Sequence, residues 1–263
     1  MRTYQNMYDL LQQRARSIRV EQLAIGLGYT GVLLEDGSMG VAFTWIDEKQ
    51  SCTLMKDPVN YEGKTALPLL EKLFSEDILD RSVAIAAVNA LNYPQAASFE
   101  NDRDSLLDDL GIGGGSKVSM IGYFGPVVKK IEDRSARLNV YDMGKKIGSE
   151  EEFFANLEHD TDAVILTSTS VIHGSTERIL AHVPWGVPCV LLGPTTPMMP
   201  EAFSHLPITI LGGTLPQRNQ EVLRAIRHGK GTHDIQRASK KVYWNKDSRA
   251  TARAPEQLNA IPE

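Results

Sequence analysis

Hydrophobic residues at the start of the chain recur every three or four positions. Tyr4, Met7, Leu11, Ala15 and Ile18 fall on one face of a helix, with polar residues between them. Such a helix gains its stability mainly by burying its apolar face against another element. The pattern therefore predicts a helix that covers a sheet.

Three short apolar runs follow this helix. They cover residues 23–27, 31–35 and 40–45. Asp36 and Gly37 separate the last two runs, and an Asp-Gly pair favours a tight hairpin because glycine adopts a positive φ without steric cost. The sequence therefore predicts a three-stranded antiparallel meander. Two helical segments, 67–74 and 82–91, would complete a small α+β domain over residues 1–92.

The pattern changes beyond residue 92. Residues 93–104 carry proline, asparagine and mixed charges without apolar periodicity, so we expect a linker there. A short helix is expected over 105–110, and five near-continuous apolar runs then alternate with helical segments. The runs cover residues 118–124, 138–141, 163–167, 189–192 and 208–211. Such runs are typical of a parallel sheet covered on both faces, so we expect a doubly wound α/β domain over 105–246 and a polar tail over 247–263.

In such a sheet ligands bind beyond the carboxyl ends of the strands, so the segments after the runs are candidate sites. Gly122, Tyr123 and Phe124 end the first run and lead to Pro126, which suits the first turn of a helix. A helix N-terminus can hold an anion. The strict G-x-G-x-x-G dinucleotide motif is absent, so a ligand-binding loop and a plain strand-to-helix turn are both open.

Asp142 ends the second run, 20 residues after Gly122. In nucleotide-binding folds an acidic residue at this distance hydrogen-bonds ribose hydroxyls. Aspartate is also common in turns, where it bonds to its own local backbone. Both interpretations of Asp142 are open.

The most polar of these segments spans residues 167–177 and follows the third run. Its candidate ligand-binding residues are Thr167, Ser168, Thr169 and Gly174. Helix capping accounts for only some of the consecutive hydroxyls. His173 and Glu177 stand four residues apart on a predicted helix and are candidate metal ligands. The segment predicts a polar pocket or a metal site, with capping and solvation as the alternative.

Two more segments offer polar groups. The loop after the fourth run has three prolines that make it rigid, and Gly193, Thr195 and Thr196 are its candidate ligand-binding residues. A stiff connection to the next helix is the alternative interpretation of this loop. Asn89 interrupts an apolar helix of the first domain and faces either the ligand site or neighbouring backbone groups.

Composition narrows the function classes. The chain has 263 residues, 29.1 kDa and a formal net charge of -5, which disfavours a general nucleic-acid binder. Its two cysteines, Cys52 and Cys189, lie outside any CxxC or Cys/His zinc spacing, and we expect a cytoplasmic protein with reduced thiols. No export signal and no apolar stretch of the roughly 20 residues that cross a bilayer is evident, so no membrane partner is expected.

The sequence resembles a known family of domain-of-unknown-function proteins that is named for heavy-metal chelation. The segments that carry the resemblance are residues 24–44, 120–126, 167–177 and 192–197. The resemblance implies an enolase N-terminal-like first domain, a Rossmann-like second domain and a site in the cleft between them. It implies no established reaction, and the residues assign no catalytic group.

Two function classes are open. The first is a metal-homeostasis protein that binds a metal ion or a polar metal chelate in the interdomain cleft, and the scarcity of cysteine favours the chelate over a bare soft ion. The second is an enzyme acting on a small nucleotide-like or phosphorylated substrate, with His173 or Glu177 transferring protons. A module whose loops only connect is the third interpretation. A divalent metal ion is the candidate cofactor, and a homo-oligomer is compatible with either class.

Overall fold

The first helix covers an antiparallel sheet, as the hydrophobic pattern predicts. The computed structural model of the chain describes residues 1–46, 53–55, 59–101 and 105–247. Helix α1 (Arg2–Ser17) buries Tyr4, Met7 and Leu11. The strands that follow are β1 (Val20–Ile25), β2 (Tyr29–Leu34) and β3 (Met39–Phe43), antiparallel in the order β1-β2-β3. Gly37 makes the predicted hairpin turn with a φ of 82°.

An alanine-rich helix packs against the outer strand of this sheet. Helix α2 (Leu67–Glu71) and a 3₁₀ turn (Lys72–Phe74) lead to α3 (Ile78–Leu91), whose first turn is capped by Asp77. A Cβ atom at Gly40 would lie 2.2 Å from the backbone nitrogen of Ala90. Glycine at position 40 therefore allows β3 and α3 to approach backbone to backbone.

The predicted linker contains regular structure where it is described. Helix α4 (Tyr93–Ala97) is followed by β4 (Glu100–Asn101), which pairs with the last strand of the chain. One hydrophobic cluster also includes Leu11 of α1, Leu91 of α3 and Leu166 of the large sheet. The division of the chain into two domains at 93–104 stays a prediction.

The second half of the chain forms a mainly parallel sheet. Its strands are β5 (Lys117–Ile121), β6 (Arg137–Tyr141), β7 (Ala163–Thr167), β8 (Cys189–Leu192), β9 (Ile208–Pro216) and β10 (Ser239–Asn245). Its helices are α5 (Leu106–Asp109), α6 (Gly125–Asp133), α7 (Glu150–His159), α8 (Thr169–His173), α9 (Thr176–Leu180), α10 (Asn219–Arg227) and α11 (Thr232–Arg237). The five predicted apolar runs each correspond to a strand, whereas β10 and the extension of β9 beyond residue 211 were not predicted from the pattern.

The strand order leaves a crevice at one edge of this sheet. The seven strands run β4-β10-β9-β8-β7-β5-β6, and β5 to β9 are parallel. The chain adds β6 on one side of β5 and then β7 on its other side, so the connections after β5 and β7 lead away from each other. Ligand sites of α/β sheets form at such a reversal. Within the described residues, no helix has the length and apolar content that crossing a bilayer requires.

Candidate functional site

A cavity of about 930 Å³ opens at the carboxyl edge of the large sheet. The segments after β5, β6, β7 and β8 and part of β9 form one side, which carries hydroxyl, charged and apolar groups. Tyr29 and Phe43 of the small antiparallel sheet and Trp45 just beyond it form the other side. Most of the predicted site residues line it. They are Gly122, Tyr123, Phe124, Asp142, Thr167, Ser168, Thr169, His173, Gly193 and Thr195. The strand ends therefore meet at one cavity, as parallel pairing requires.

The loops after β5 and β6 are joined through Asp142. One carboxylate oxygen of Asp142 accepts a hydrogen bond from the Tyr123 backbone N–H at 2.8 Å, and the other accepts one from the Lys145 backbone N–H at 2.9 Å. These are the local backbone bonds of the alternative interpretation of Asp142. Its role toward a ribose stays a prediction.

Gly122 brings the first of these loops against β7. Its φ is 84°, and a Cβ atom there would lie 2.8 Å from the Cβ of Thr167. Both the backbone conformation and the space therefore favour glycine. The close approach fixes the β5 loop beside the hydroxyl groups that follow β7.

Among the described residues that line the cavity, lysine and arginine side chains outnumber carboxylates. The cationic lining residues are Lys130, Lys145, Arg178 and Lys241, and the acidic ones are Asp142 and Glu150. The Lys145 ammonium lies 4.5 Å from the centre of the Tyr123 ring and donates to the Tyr123 carbonyl at 3.2 Å. This local excess of positive charge opposes the net charge of -5 of the chain and favours an anionic ligand.

The hydroxyl groups after β7 differ in their partners. Thr167 and Thr169 share a hydrogen bond of 3.0 Å, and the buried hydroxyls of Ser170 and Thr176 share one of 2.8 Å. Ser168 is only 1% exposed and lines the cavity, yet its hydroxyl has no hydrogen-bond partner within the described residues. Ser168 is therefore the hydroxyl best placed to receive a ligand.

Aromatic rings form the opposite wall. Tyr29, Phe43 and Trp45 meet edge to face, with centroid distances of 6.1 and 5.6 Å. Burial raises the pKa of Tyr29, and the 2.7 Å hydrogen bond with the Thr232 hydroxyl opposes that rise only in part. Trp45 also packs edge-on against the imidazole of His173, 3.9 Å between ring centres. This wall offers apolar surface to a ligand held by the polar wall.

The helix that carries His173 is anchored by the first part of the chain. The Tyr4 hydroxyl donates to the Val171 carbonyl, and the Arg81 guanidinium donates to the Ile172 carbonyl at 2.7 Å. Burial raises the pKa of Tyr4 to about 12, so the hydroxyl keeps its proton. Gly174 ends α8 in the left-handed conformation with a φ of 73° and does not line the cavity. These contacts fix the position of His173 in the wall.

Glu177 has different surroundings from His173. Its carboxylate accepts hydrogen bonds of 2.7 Å from both the backbone N–H and the hydroxyl of Thr3, and it lies 3.5 Å from the His205 imidazole. It therefore caps the first turn of α1 and does not line the cavity. No group of three His, Cys, Asp or Glu side chains that could hold a metal ion occurs in the described part of the chain.

Cys189 does not supply a thiolate at the cavity. Cys189 is a buried free thiol at the start of β8, and burial raises its pKa to about 12. A thiol that keeps its proton is a poor ligand for a soft metal. Cys52 lies outside the described residues.

Asn89 and Thr196 contact backbone groups. The Asn89 amide donates to the Val41 carbonyl at 2.9 Å and to the Thr195 carbonyl at 3.2 Å. The Thr196 hydroxyl lies 2.8 Å from the carbonyls of both Gly193 and Gly212. Neither side chain lines the cavity, although both contact segments that do.

Comparison with known proteins agrees with this architecture. The model of the DUF364 family, described as "Putative heavy-metal chelation", matches residues 105–245, and that of DUF4213, with the same description, matches residues 8–92. The chain belongs to the DUF364 family. An uncharacterized protein of Methanocaldococcus jannaschii is 24% identical to it over 215 residues, which are 78% of this chain and 82% of that protein.

Two solved structures of DUF364 proteins of unknown function share the fold. The one from Pyrococcus horikoshii has a TM-score of 0.78 and 21% identity over 92% of this chain and 99% of its own. The one from Desulfitobacterium hafniense has a TM-score of 0.73 and 21% identity over 92% of this chain and 100% of its own. At this identity the likeness shows the fold of this DUF364 member and leaves its ligand open.

Sequence reasoning missed the aromatic wall and the cations of this DUF364 cavity. Phe43 ends β3 and Trp45 follows it by two residues, so an alternating pattern that continues past the strand places both on one face. That signal was available, but it does not reveal which distant loop the face meets. Lys145 follows Asp142 by three residues in a tight turn, which local spacing alone does not single out from Lys146.

The Glu177 contacts predict an acid-dependent stability. Burial raises the pKa of Glu177, but the hydrogen bonds from Thr3 and His205 outweigh it and leave the pKa below its usual value. The resulting stabilisation is complete above the unfolded pKa of about 4.3 and is lost as pH falls through the lower folded value. We expect Glu177→Gln to lower the melting temperature at pH 7 and to match the wild type at pH 3. Exposed Glu151→Gln is the control, and a difference that persists unchanged at pH 3 would contradict this role.

Two neighbouring serines predict opposite effects on stability and binding. Ser168→Ala removes a hydroxyl that has no hydrogen-bond partner among the described residues. We therefore expect the midpoint of urea unfolding to stay within error of the wild type, while the affinity for the ligand falls. Ser170→Ala breaks the bond to Thr176 and should lower the free energy of unfolding by about 1 kcal/mol. Denaturation and calorimetric titration of both variants check this. A clear loss of stability in Ser168→Ala would show that its hydroxyl serves the fold.

Proposed function

We propose that the protein binds a small anionic metal chelate in the cavity between its two sheets. The observation that supports this most strongly is the combination of a cationic wall with the lack of a three-residue metal-ligating group in the described chain. A bare metal ion takes four or more ligands, most of them from carboxylates, imidazoles or thiolates of the protein. A chelate brings its own ligands and leaves the protein to recognise its charge and shape.

The size of the cavity supports the same proposal. At about 930 Å³ it falls within the range of sites for small organic molecules. Lys145 and the Ser168 hydroxyl would bond to outer oxygen atoms of the chelate, and the aromatic wall would cover its apolar part. His173 contributes an imidazole to the described residues that line the cavity, and this imidazole would fill one open coordination position of the metal. In this proposal residues 1–92 and 105–246 act as two domains with the ligand in the cleft between them.

The second candidate is an enzyme that acts on a small nucleotide-like or phosphorylated substrate. The start of α6 supports it, because Phe124 and Pro126 line the cavity where a helix N-terminus would attract a phosphate. The two oxygens of Asp142 already accept backbone N–H groups, which weakens the case for a ribose contact there. The hydrogen bonds of Asp142 therefore favour a metal chelate over a nucleotide-like substrate as the ligand.

Calorimetric titration separates these functions. The panel is Ni²⁺ alone, citrate alone, the nickel–citrate and iron(III)–citrate complexes, and a nucleoside monophosphate. We expect saturable binding of at least one metal complex and weaker or no binding of Ni²⁺ alone. Tight binding of Ni²⁺ alone would contradict the chelate proposal. Tight nucleotide binding that Asp142→Ala abolishes would favour the enzyme.

Lys145 provides a test of charge recognition. Lys145→Met removes a cation that lines the cavity, and we expect it to weaken chelate binding by about three- to fivefold and to reduce the salt dependence of binding. Lys146→Met is the matched control, because Lys146 is the neighbouring exposed lysine outside the described lining. Equal effects of both variants would show that only the general charge of the protein matters.

A further inference from the structure

Helix α3 carries a polar stripe along an otherwise buried apolar surface. Ser82, Asn89 and Asn92 are separated by seven and three residues, which places them along one side of the helix. All three side chains are at least partly buried, where an amide or hydroxyl needs hydrogen-bond partners. The hydrogen bonds of these three side chains therefore show which segments α3 positions.

Each member of the stripe contacts the backbone of a different segment. The Ser82 hydroxyl accepts from the Trp45 N–H at 3.0 Å, and the Asn92 amide donates to the Met198 carbonyl at 2.7 Å. Asn89 contacts two segments at once, through the carbonyls of Val41 and Thr195. Asn89 alone among these three joins the strand of the aromatic wall to the loop after β8.

A second bond closes this connection. The backbone N–H of Phe43, two residues after Val41, donates to the Thr195 hydroxyl at 2.9 Å. Phe43 and Thr195 line the cavity, whereas Asn89 does not. The two walls thus meet at Thr195, which is bonded through its carbonyl to α3 and through its hydroxyl to β3.

The stripe has little freedom to shift along the sheet. The missing Cβ atom of Gly40 lets α3 contact β3 closely, and a side chain there would overlap the backbone of residues 86–90. Because α3 cannot slide past β3, the Asn89 side chain and the Phe43–Thr195 bond together hold the Thr195 loop at a set distance from β3. The Nδ2 atom of Asn89 donates both hydrogen bonds, so a side chain without an N–H₂ group cannot replace them.

We infer that Asn89 is a positioning residue that, together with the Phe43–Thr195 bond, fixes the separation of the aromatic wall from the strand-end wall. It acts without touching the ligand, by holding Val41 and Thr195 at a set distance. The consequence for chelate affinity rests on the proposed function, but the separation of the walls is a property of the protein alone. Small displacements of groups that contact a ligand can cost large factors in binding or rate.

The fluorescence of Trp45 can report the separation of the two walls in the absence of a ligand. The chain has three tryptophans, so Trp185→Phe and Trp244→Phe leave Trp45 in the wall as the single reporter. Iodide is an anion that can enter a cationic cavity and quench this fluorescence. In that background we expect Asn89→Ala to raise the quenching constant of Trp45 at least about twofold. Asn92→Ala is the matched control, because it removes a comparable buried amide bond to Met198, which does not line the cavity.

The same variants are then titrated with the metal–citrate complex that the wild type binds. We expect about a tenfold loss of affinity for Asn89→Ala and less than a twofold change for Asn92→Ala. Unchanged quenching in Asn89→Ala, or equal increases in both variants, would overturn the inference. If the wild type binds no complex, the proposed function fails while the quenching result still decides the role of Asn89. If Asn89→Ala does not fold, Asn89→Ser keeps one donor and should show a smaller increase in quenching.

Discussion

Parallel strands end at one edge of a sheet, and the rest of this site depends on that constraint. The reversal of strand order between β5 and β7 separates the connecting segments, so polar strand ends meet around a gap. The small antiparallel sheet lies over this gap and adds three aromatic rings to it. A cavity with polar and charged groups on one wall and three aromatic rings on the other follows from the way these two sheets are placed together.

The electrostatics of the cavity favours an anionic ligand. Four cationic side chains line the described wall beside two carboxylates, in a chain whose net charge is -5. Glu177 serves α1, and burial keeps Cys189 protonated, so neither offers a metal ligand at the cavity. The proposed metal chelate is consistent with both the family description and these side chains.

Local periodicity was enough to predict α1, the meander, its hairpin at Gly37 and the five parallel strands. It did not predict β10, because polar and apolar residues do not alternate regularly in that strand. It also did not predict β4 inside the proposed linker, because β4 is defined by its pairing with β10. The site was predictable where residues follow strands, as at Ser168. The partners of Glu177 and Asn89 were not, because Thr3 and Thr195 are 174 and 106 residues away and no local pattern reports such contacts.

The most direct test of the account is a crystal structure of the protein with bound nickel–citrate, with data collected at the nickel absorption edge. We expect one anomalous peak inside the cavity, with at most one protein ligand, from His173, and citrate oxygens in the other coordination positions. Lys145 and Ser168 should contact the citrate. A nickel ion bound by three or more side chains, or a peak outside the cavity, would contradict the account.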